Sequence, residues 1–247
     1  MGCLVILALE TATAACSVAL CAADGSVVAE TVALEGPAHT QRLLPGVHAV
    51  LEAAAASWSD VGTVAVGLGP GAFTGLRIGV ATARALAQAD GRVRLAGVPT
   101  PAALALALAR TPEAAAHRPL VPLIDGKRRE VFAAVYAADE AGSGVHLVEQ
   151  VTVVPADELA AWLARLGDVL VGGDGAVLYG DLLPATARVA NEIPAPTAAM
   201  VGRAVAREAP GLVFGAHAVL PLYGRAPDAA RWTHGGPARP ASSGDVA

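Results

Sequence analysis

Residues 3–9 form an unbroken apolar run, the pattern of a strand buried on both faces. Glu10-Thr11-Ala12-Thr13 is a small polar turn. Two further strands follow at 16–22 and 27–34, joined by Ala23-Asp24-Gly25-Ser26, so the opening predicts an antiparallel meander. Gly36-Pro37 breaks it. Leu43, Leu44, Val47, Val50, Leu51 and Ala54 then recur at helical spacing, which predicts a helix over 40–55 with Pro45 near its start. A strand at 61–66 leads into Gly67-Leu68-Gly69-Pro70-Gly71-Ala72-Phe73-Thr74-Gly75-Leu76-Arg77-Ile78-Gly79. An alanine-rich helix is predicted over 76–89, capped by Thr74, with Ala81, Ala85 and Ala89 inward beside Ile78 and Leu86. A strand at 94–98 and a helix at 101–109 complete this half.

The second half repeats the order more loosely. Strands are expected at 120–124, 130–136 and 145–153, a helix opened by Pro155, strands at 169–171 and 187–190, and a helix at 196–208. Residues 228–247 lack periodicity and are rich in Pro, Gly, Ser and Ala, a composition of disorder. The expected fold class is α/β: two tandem ribonuclease-H-like domains of the actin-like ATPase (ASKHA) type, each a mixed sheet flanked by helices. Residues 1–103 would form the first domain and 104–225 a smaller, degenerate second. The helix at 196–209 would pack back on the first domain, and 226–247 would be a disordered tail.

Composition narrows the function. The 247 residues carry a formal charge of −5 and only 16% charged side chains, so no general polyanion-binding face is expected. Aromatics make up 4%, too few for a base-stacking platform. No apolar run reaches the length of about 20 residues that a membrane span needs. The first Lys or Arg is Arg42, so the charged leader of a signal peptide is missing and a cytoplasmic location is expected. Cys3, Cys16 and Cys21 lie among apolar residues without metal-ligand spacing and read as reduced thiols.

The glycine-rich stretch 67–79 invites a phosphate-cradle reading, since a strand, a permissive loop and a helix N-terminus often hold an anion. Its spacing argues otherwise. No lysine follows Gly75, as a P-loop requires, and Gly67-x-Gly69 leads to Ala72 where a dinucleotide fingerprint needs glycine. Tight packing or a protein interface is the better reading. The histidines lie at 39, 48, 117, 146, 217 and 234; no pair has H-x-x-x-H spacing and H-E-x-x-H is absent, so a metallopeptidase lacks its ligands. Ser17 has no histidine or acid at a recognisable spacing for a serine hydrolase. His39 reads as a helix-terminal residue making local bonds.

A specific resemblance is carried by Leu7-Ala8-Leu9-Glu10-Thr11, Cys16-Ser17-Val18-Ala19-Leu20, His39-Thr40-Gln41, Leu43-Leu44-Pro45 and above all residues 69–79. Ile124-Asp125, Glu130-Val131-Phe132 and Pro221-Leu222-Tyr223 add weaker motifs. Together they resemble the bacterial tRNA threonylcarbamoyladenosine biosynthesis family TsaB (YeaZ), over the first hundred residues and more thinly to 225. Three positions depart from the family pattern: Glu10 replaces Asp, Ala72 replaces Ser, and Gly126-Lys127 replaces Ala-Arg.

The resemblance implies a non-catalytic actin-like scaffold that pairs with the TsaD transferase, is cycled by the ATPase TsaE, self-associates when TsaD is absent, and meets tRNA only through the complex. Leu43, Leu44, Val47, Pro70, Gly71, Phe73, Thr74, Gly75, Arg77 and Ile78 are the expected interface. Glu10, Thr11, Asp125 and Asp174 stand where actin-like ATPases orient magnesium, water or adenine. A vestigial ATP or ADP site with Mg at a joint interface is the alternative to carboxylates that merely cap turns. The rival functions are an ATPase or phosphotransferase of the same fold and, further off, a metal-dependent peptidase.

Overall fold

The computed structural model describes residues 4–33, 39–114, 118–139 and 144–224. Cys3, Gly36-Pro37, His117, His234 and the 226–247 tail fall outside the described residues.

Strands β1 (Val5–Glu10), β2 (Cys16–Cys21) and β3 (Val27–Ala33) form the expected meander. Helix α1 (His39–Ala53) and a single 3-10 turn (Trp58–Asp60) lead to β4 (Val61–Gly67), which pairs parallel to β1. After α2 (Phe73–Ala89), β5 (Arg94–Val98) pairs parallel to β4, and α3 (Thr100–Leu108) follows. The second meander is β6 (Leu120–Asp125), β7 (Glu130–Ala138) and β8 (Val145–Pro155). Then come α4 (Leu159–Ala164), β9 (Val169–Gly172), α5 (Asp174–Leu178), β10 (Ala187–Val189), α6 (Ala198–Ala206) and the short β11 (Val213–Phe214).

One sheet has the order β11-β5-β4-β1-β2-β3 and the other β10-β9-β6-β7-β8. Leaving β11 aside, both are the same object: a meander whose first strand is flanked by two successive parallel strands. This is the duplicated ribonuclease-H-like arrangement of the actin-like superfamily.

Three cores follow from the pleat. Leu7, Leu9, Val18 and Leu20 face one way and pack under α1 and α2 with Leu43, Val47, Val50, Val80 and Ala83. Ile6, Ala8, Ala19 and Cys21 face the other way, into a middle layer of α3 and α6 that also receives Leu120, Ile124, Phe132 and Leu170 of the second sheet. Val121, Leu123, Val131 and Ala133 meet α4 on the far side. Every residue of α3 is buried, which is why its sequence is apolar all round rather than amphipathic. Helix α6 lies against β1 and β2: a Cβ on Gly202 would meet Cys21 and Ala8.

Several local expectations shift. Pro45 sits in the interior of α1, not near its start. Helix α2 begins at Phe73, so Thr74 is inside its first turn; the N-cap is Ala72, which has no side-chain cap bond. The inward face of α2 is Gly75, Leu76, Gly79, Val80, Ala83 and Ala87, whereas Ala81, Ala85 and Ala89 point outward. Strand β8 runs through Pro155, and the next helix starts only at Leu159.

A closed glycine loop and an exposed aromatic and cationic face

The loop between β4 and α2 wraps around the chain's own Glu10–Ala12 turn. A Cβ on Gly71 would overlap the Ala12 carbonyl, and one on Gly75 the Thr11 carbonyl. Gly67 and Gly79 meet the Glu10 carboxylate and the Thr11 hydroxyl in the same way. Only a residue without Cβ permits this approach. Hydrogen bonds lock it: Ala72 N–H donates to the Ala12 carbonyl at 2.6 Å, and Thr11 Oγ1 donates to the Gly75 carbonyl at 2.8 Å. The start of α2 is therefore set by a tertiary contact, which explains why no capping side chain marks it. Gly69, at φ +88°, precedes a cis bond to Pro70; its N–H donates to Thr100 Oγ1 at 3.1 Å and its carbonyl accepts from Thr100 N–H at 3.0 Å.

Glu10 is 0% exposed. Its Oε1 accepts from Thr11 N–H at 2.8 Å and Ala12 N–H at 2.7 Å, and its Oε2 from Thr100 Oγ1 at 3.0 Å. Burial pushes its carboxyl up to about 7; the three hydrogen bonds oppose the shift and Asp174 adds slightly to it. Both oxygens are thus spent on the chain itself. A magnesium-nucleotide ligand needs a carboxylate facing a phosphate across open space, and Glu10 faces Gly67 instead.

Asp125 and Asp174 meet at the second sheet. Asp125 N–H donates to Asp174 Oδ1 at 3.1 Å, and Lys127 Nζ reaches Asp125 Oδ2 at 2.6 Å. Desolvation lifts Asp174 to about 6, and the Asp125 carboxylate raises the Lys127 ammonium above its usual value. Among the described residues no group of three or more His, Cys, Asp or Glu side chains is placed to hold a metal ion. Ser17 Oγ accepts from Ala198 N–H at 2.7 Å and so completes the N-terminus of α6. His39 opens α1, but its ring bonds the distant Thr13 carbonyl at 3.1 Å, so its contacts are tertiary and not local.

The outward side of α2 carries the other notable cluster. The Arg77 guanidinium lies 3.9 Å from the Phe73 ring centroid, and Arg77 Nε donates to Tyr223 Oη at 3.0 Å. The Phe73 and Tyr223 rings are 5.1 Å apart. Phe73 is 51% and Tyr223 42% exposed. The segment before Tyr223 is tied to the loop, since Leu222 N–H donates to the Leu68 carbonyl at 2.8 Å. Leu44 adds an exposed side chain on α1, at 56%.

The expected interface therefore divides. Phe73, Thr74, Arg77 and Leu44 are on the surface, and Gly71 and Ile78 are half-buried. Leu43 and Val47 belong to the core beneath the first sheet, Pro70 is buried in the loop and Gly75 in the first turn of α2, so these four positions are covered within the chain itself. Sequence reasoning gave Leu222 and Tyr223 no role, although Pro221-Leu222-Tyr223 stood out as a motif. Only the fold joins them to Arg77, 146 residues away.

A sequence profile of the tRNA N6-adenosine threonylcarbamoyltransferase family (TsaD) matches residues 24–159, more than half of the chain. The tRNA threonylcarbamoyladenosine biosynthesis protein TsaB of Escherichia coli is 41% identical over 137 residues, 56% of this chain and 57% of that protein. The match thus spans little more than half of that relative's length. TsaB of Bacillus subtilis is 28% identical over 161 residues, 65% of each chain. YeaZ from Pseudomonas aeruginosa superposes with a TM-score of 0.70 at 32% identity, over 89% of this chain and 99% of that one. Among the described residues no helix is long and apolar enough to cross a membrane. With the fold of YeaZ reproduced over 99% of that protein at 32% identity, the chain belongs to the TsaB (YeaZ) family.

Proposed function

We propose that this chain is a non-catalytic subunit of the machinery that makes threonylcarbamoyladenosine beside the anticodon of ANN-reading tRNAs. It pairs with the paralogous transferase TsaD through the exposed faces of α1 and α2, with Phe73, Arg77 and Leu44 at the contact. The observation that carries this reading is the filled loop. The backbone of the glycine-rich stretch is packed against the chain's own Glu10–Ala12 turn, while an aromatic and cationic cluster faces outward. Aromatic and arginine side chains are the types that anchor protein interfaces. The relatives named for threonylcarbamoyladenosine biosynthesis support the biological assignment.

The rest of the proposal concerns the assembly. TsaE cycles the complex, tRNA is met through the complex, and the chain self-associates when TsaD is absent. All of this takes place in the cytoplasm. This chain holds no cofactor alone; an ATP or ADP with Mg would belong to a joint interface.

The test is depletion of the protein followed by nucleoside analysis of bulk tRNA, with copurification of TsaD in parallel. Loss of threonylcarbamoyladenosine and recovery of TsaD are expected. Unchanged modification refutes the assignment, and nucleotide turnover by the isolated chain that Glu10→Ala abolishes would replace it with an ATPase.

A further inference from the structure

An open cavity of about 800 Å³ lies where the C-terminal half of α2 meets the edge of the first sheet. Its floor is apolar: Ala87, Val93 and Leu95 are buried in the core beneath the sheet. Its walls are not. Arg84 and Gln88 enter from α2, Arg94 from β5, and Phe214 from β11. The Arg94 guanidinium sits 4.7 Å from the Phe214 ring centroid, and the Phe214 ring is about half exposed. The far wall is fixed by backbone pairing, since Gly215 N–H donates to the Leu95 carbonyl at 2.9 Å.

The charge pattern is what makes this cavity informative. The chain is acidic overall, at −5, yet no lining residue is acidic and the two charged lining residues are both arginines, Arg84 and Arg94. Among the described residues neither Arg84 nor Arg94 is ion-paired with a carboxylate. A guanidinium presents a fixed fork of donors that matches planar oxyanions in bidentate fashion. An apolar floor and an aromatic wall beside it reward a flat hydrophobic body. The volume falls in the range of about 300–1,000 Å³ that small-molecule sites occupy.

We propose that this cavity binds a small amphipathic anion: a carboxylate or phosphate carried on a flat apolar group. The oxyanion pairs with Arg84 and Arg94. The apolar body lies over Val93 and Leu95 against Phe214, and the Gln88 amide serves a polar substituent. No residue of the Phe73–Arg77–Tyr223 cluster lines the cavity, but Arg84 and Gln88 stand on α2 about two and three turns beyond Arg77, so a partner seated on that helix would border the site and the free chain is the form to test.

The experiment titrates the full chain with 1-naphthoate and, in a second arm, with 1-naphthyl phosphate, followed by calorimetry and protein NMR. The neutral 1-naphthalenemethanol is the control. Saturable binding of at least one anion is expected, with the preferred arm identifying the oxyanion. Arg84→Gln and Arg94→Gln should each weaken it by about tenfold, the scale of one charge-assisted hydrogen-bonded contact. Phe214→Leu, which keeps bulk but removes the ring, should weaken both anions. Thermal unfolding of each variant checks that the fold is intact. The proposal is overturned if neither anion saturates, if the neutral control binds equally well, or if a folded Arg84→Gln, Arg94→Gln double variant binds like the parent.

Discussion

Replacing Glu10 with Gln tests the account of the closed loop most directly. The substitution is nearly isosteric, and the amide oxygen can still accept from Thr11 and Ala12 N–H. What changes is the capacity to ionise in a site that is 0% exposed. The folded carboxyl titrates at about 7, against 4.5 for the same group unperturbed. A raised carboxyl pKa means that the folded state holds its proton where the unfolded chain has released it. This group's stabilising effect is therefore intact below the unfolded value, falls as pH rises, and is fully lost above the folded value. At about 1.4 kcal/mol per unit, the parent should lose roughly 2–3 kcal/mol through Glu10 between about pH 5 and pH 8. Urea unfolding at the two pH values measures this. Glu10→Gln should lack that share of the slope and be at least as stable as the parent at the higher pH. Asp174, also raised, titrates in both proteins, so its share of the slope cancels apart from its small electrostatic coupling to Glu10. A variant that keeps the parent's full pH dependence would show that Glu10 is not the buried titrating group, and the inward clamp would fall with it.

Gly75→Ala places a methyl on the Thr11 carbonyl and should destabilise by about 1–3 kcal/mol or more in chemical denaturation, the scale of a forced overpacking. Leu43→Ala should cost about 2–5 kcal/mol as a core cavity. The adjacent Leu44→Ala should stay within about 0.5 kcal/mol in the same denaturation series, yet weaken pairing with TsaD in calorimetry. Tyr223→Phe removes the hydroxyl that holds Arg77 Nε. Monomer stability should change by less than about 0.5 kcal/mol. Affinity for TsaD should fall about two- to tenfold, the range of one hydrogen bond, and an unchanged affinity would separate Tyr223 from the docking surface.

The strands were legible because burial on both faces writes a continuous apolar run, as in β1, and because hairpin turns mark their ends. The duplicated order of elements followed from that alone. What the sequence hid was tertiary. Leu43 and Leu44 are neighbours with the same chemistry, and a broad apolar stripe does not say which of them turns inward. In α2 alanines lie on both faces, so hydrophobicity gives no direction. The helix is oriented by Gly75 and Gly79 meeting Thr11, a contact made across more than sixty residues. The same limit applies at the candidate site. Ser17 serves a helix end 181 residues away, and Arg77 is held by a tyrosine 146 residues away. No local pattern encodes either pairing.

The closed loop also bears on how the chain would bind. Glycine in an ordered segment costs conformational entropy, of the order of 0.5–1 kcal/mol each relative to alanine. Gly67, Gly71, Gly75 and Gly79 together then oppose folding by roughly 2–4 kcal/mol. They are compatible with a stable chain because each permits a contact that no other residue allows, and those contacts fix α2 against β1. A loop meant to open for a nucleotide would gain little from such tight closure. A loop that must hold a surface still gains a great deal. Phe73 and Arg77 lie in the first two turns after it, and the Tyr223 segment is hydrogen-bonded to its Leu68 carbonyl. Both sides of the aromatic and cationic cluster are thereby anchored to one rigid element before any partner arrives. Association then forgoes part of the ordering cost, about 0.5–1.5 kcal/mol for each side chain that would otherwise be immobilised on binding. On the proposed reading, the glycines that make the loop look like a phosphate cradle are what preorganises the face offered to a partner.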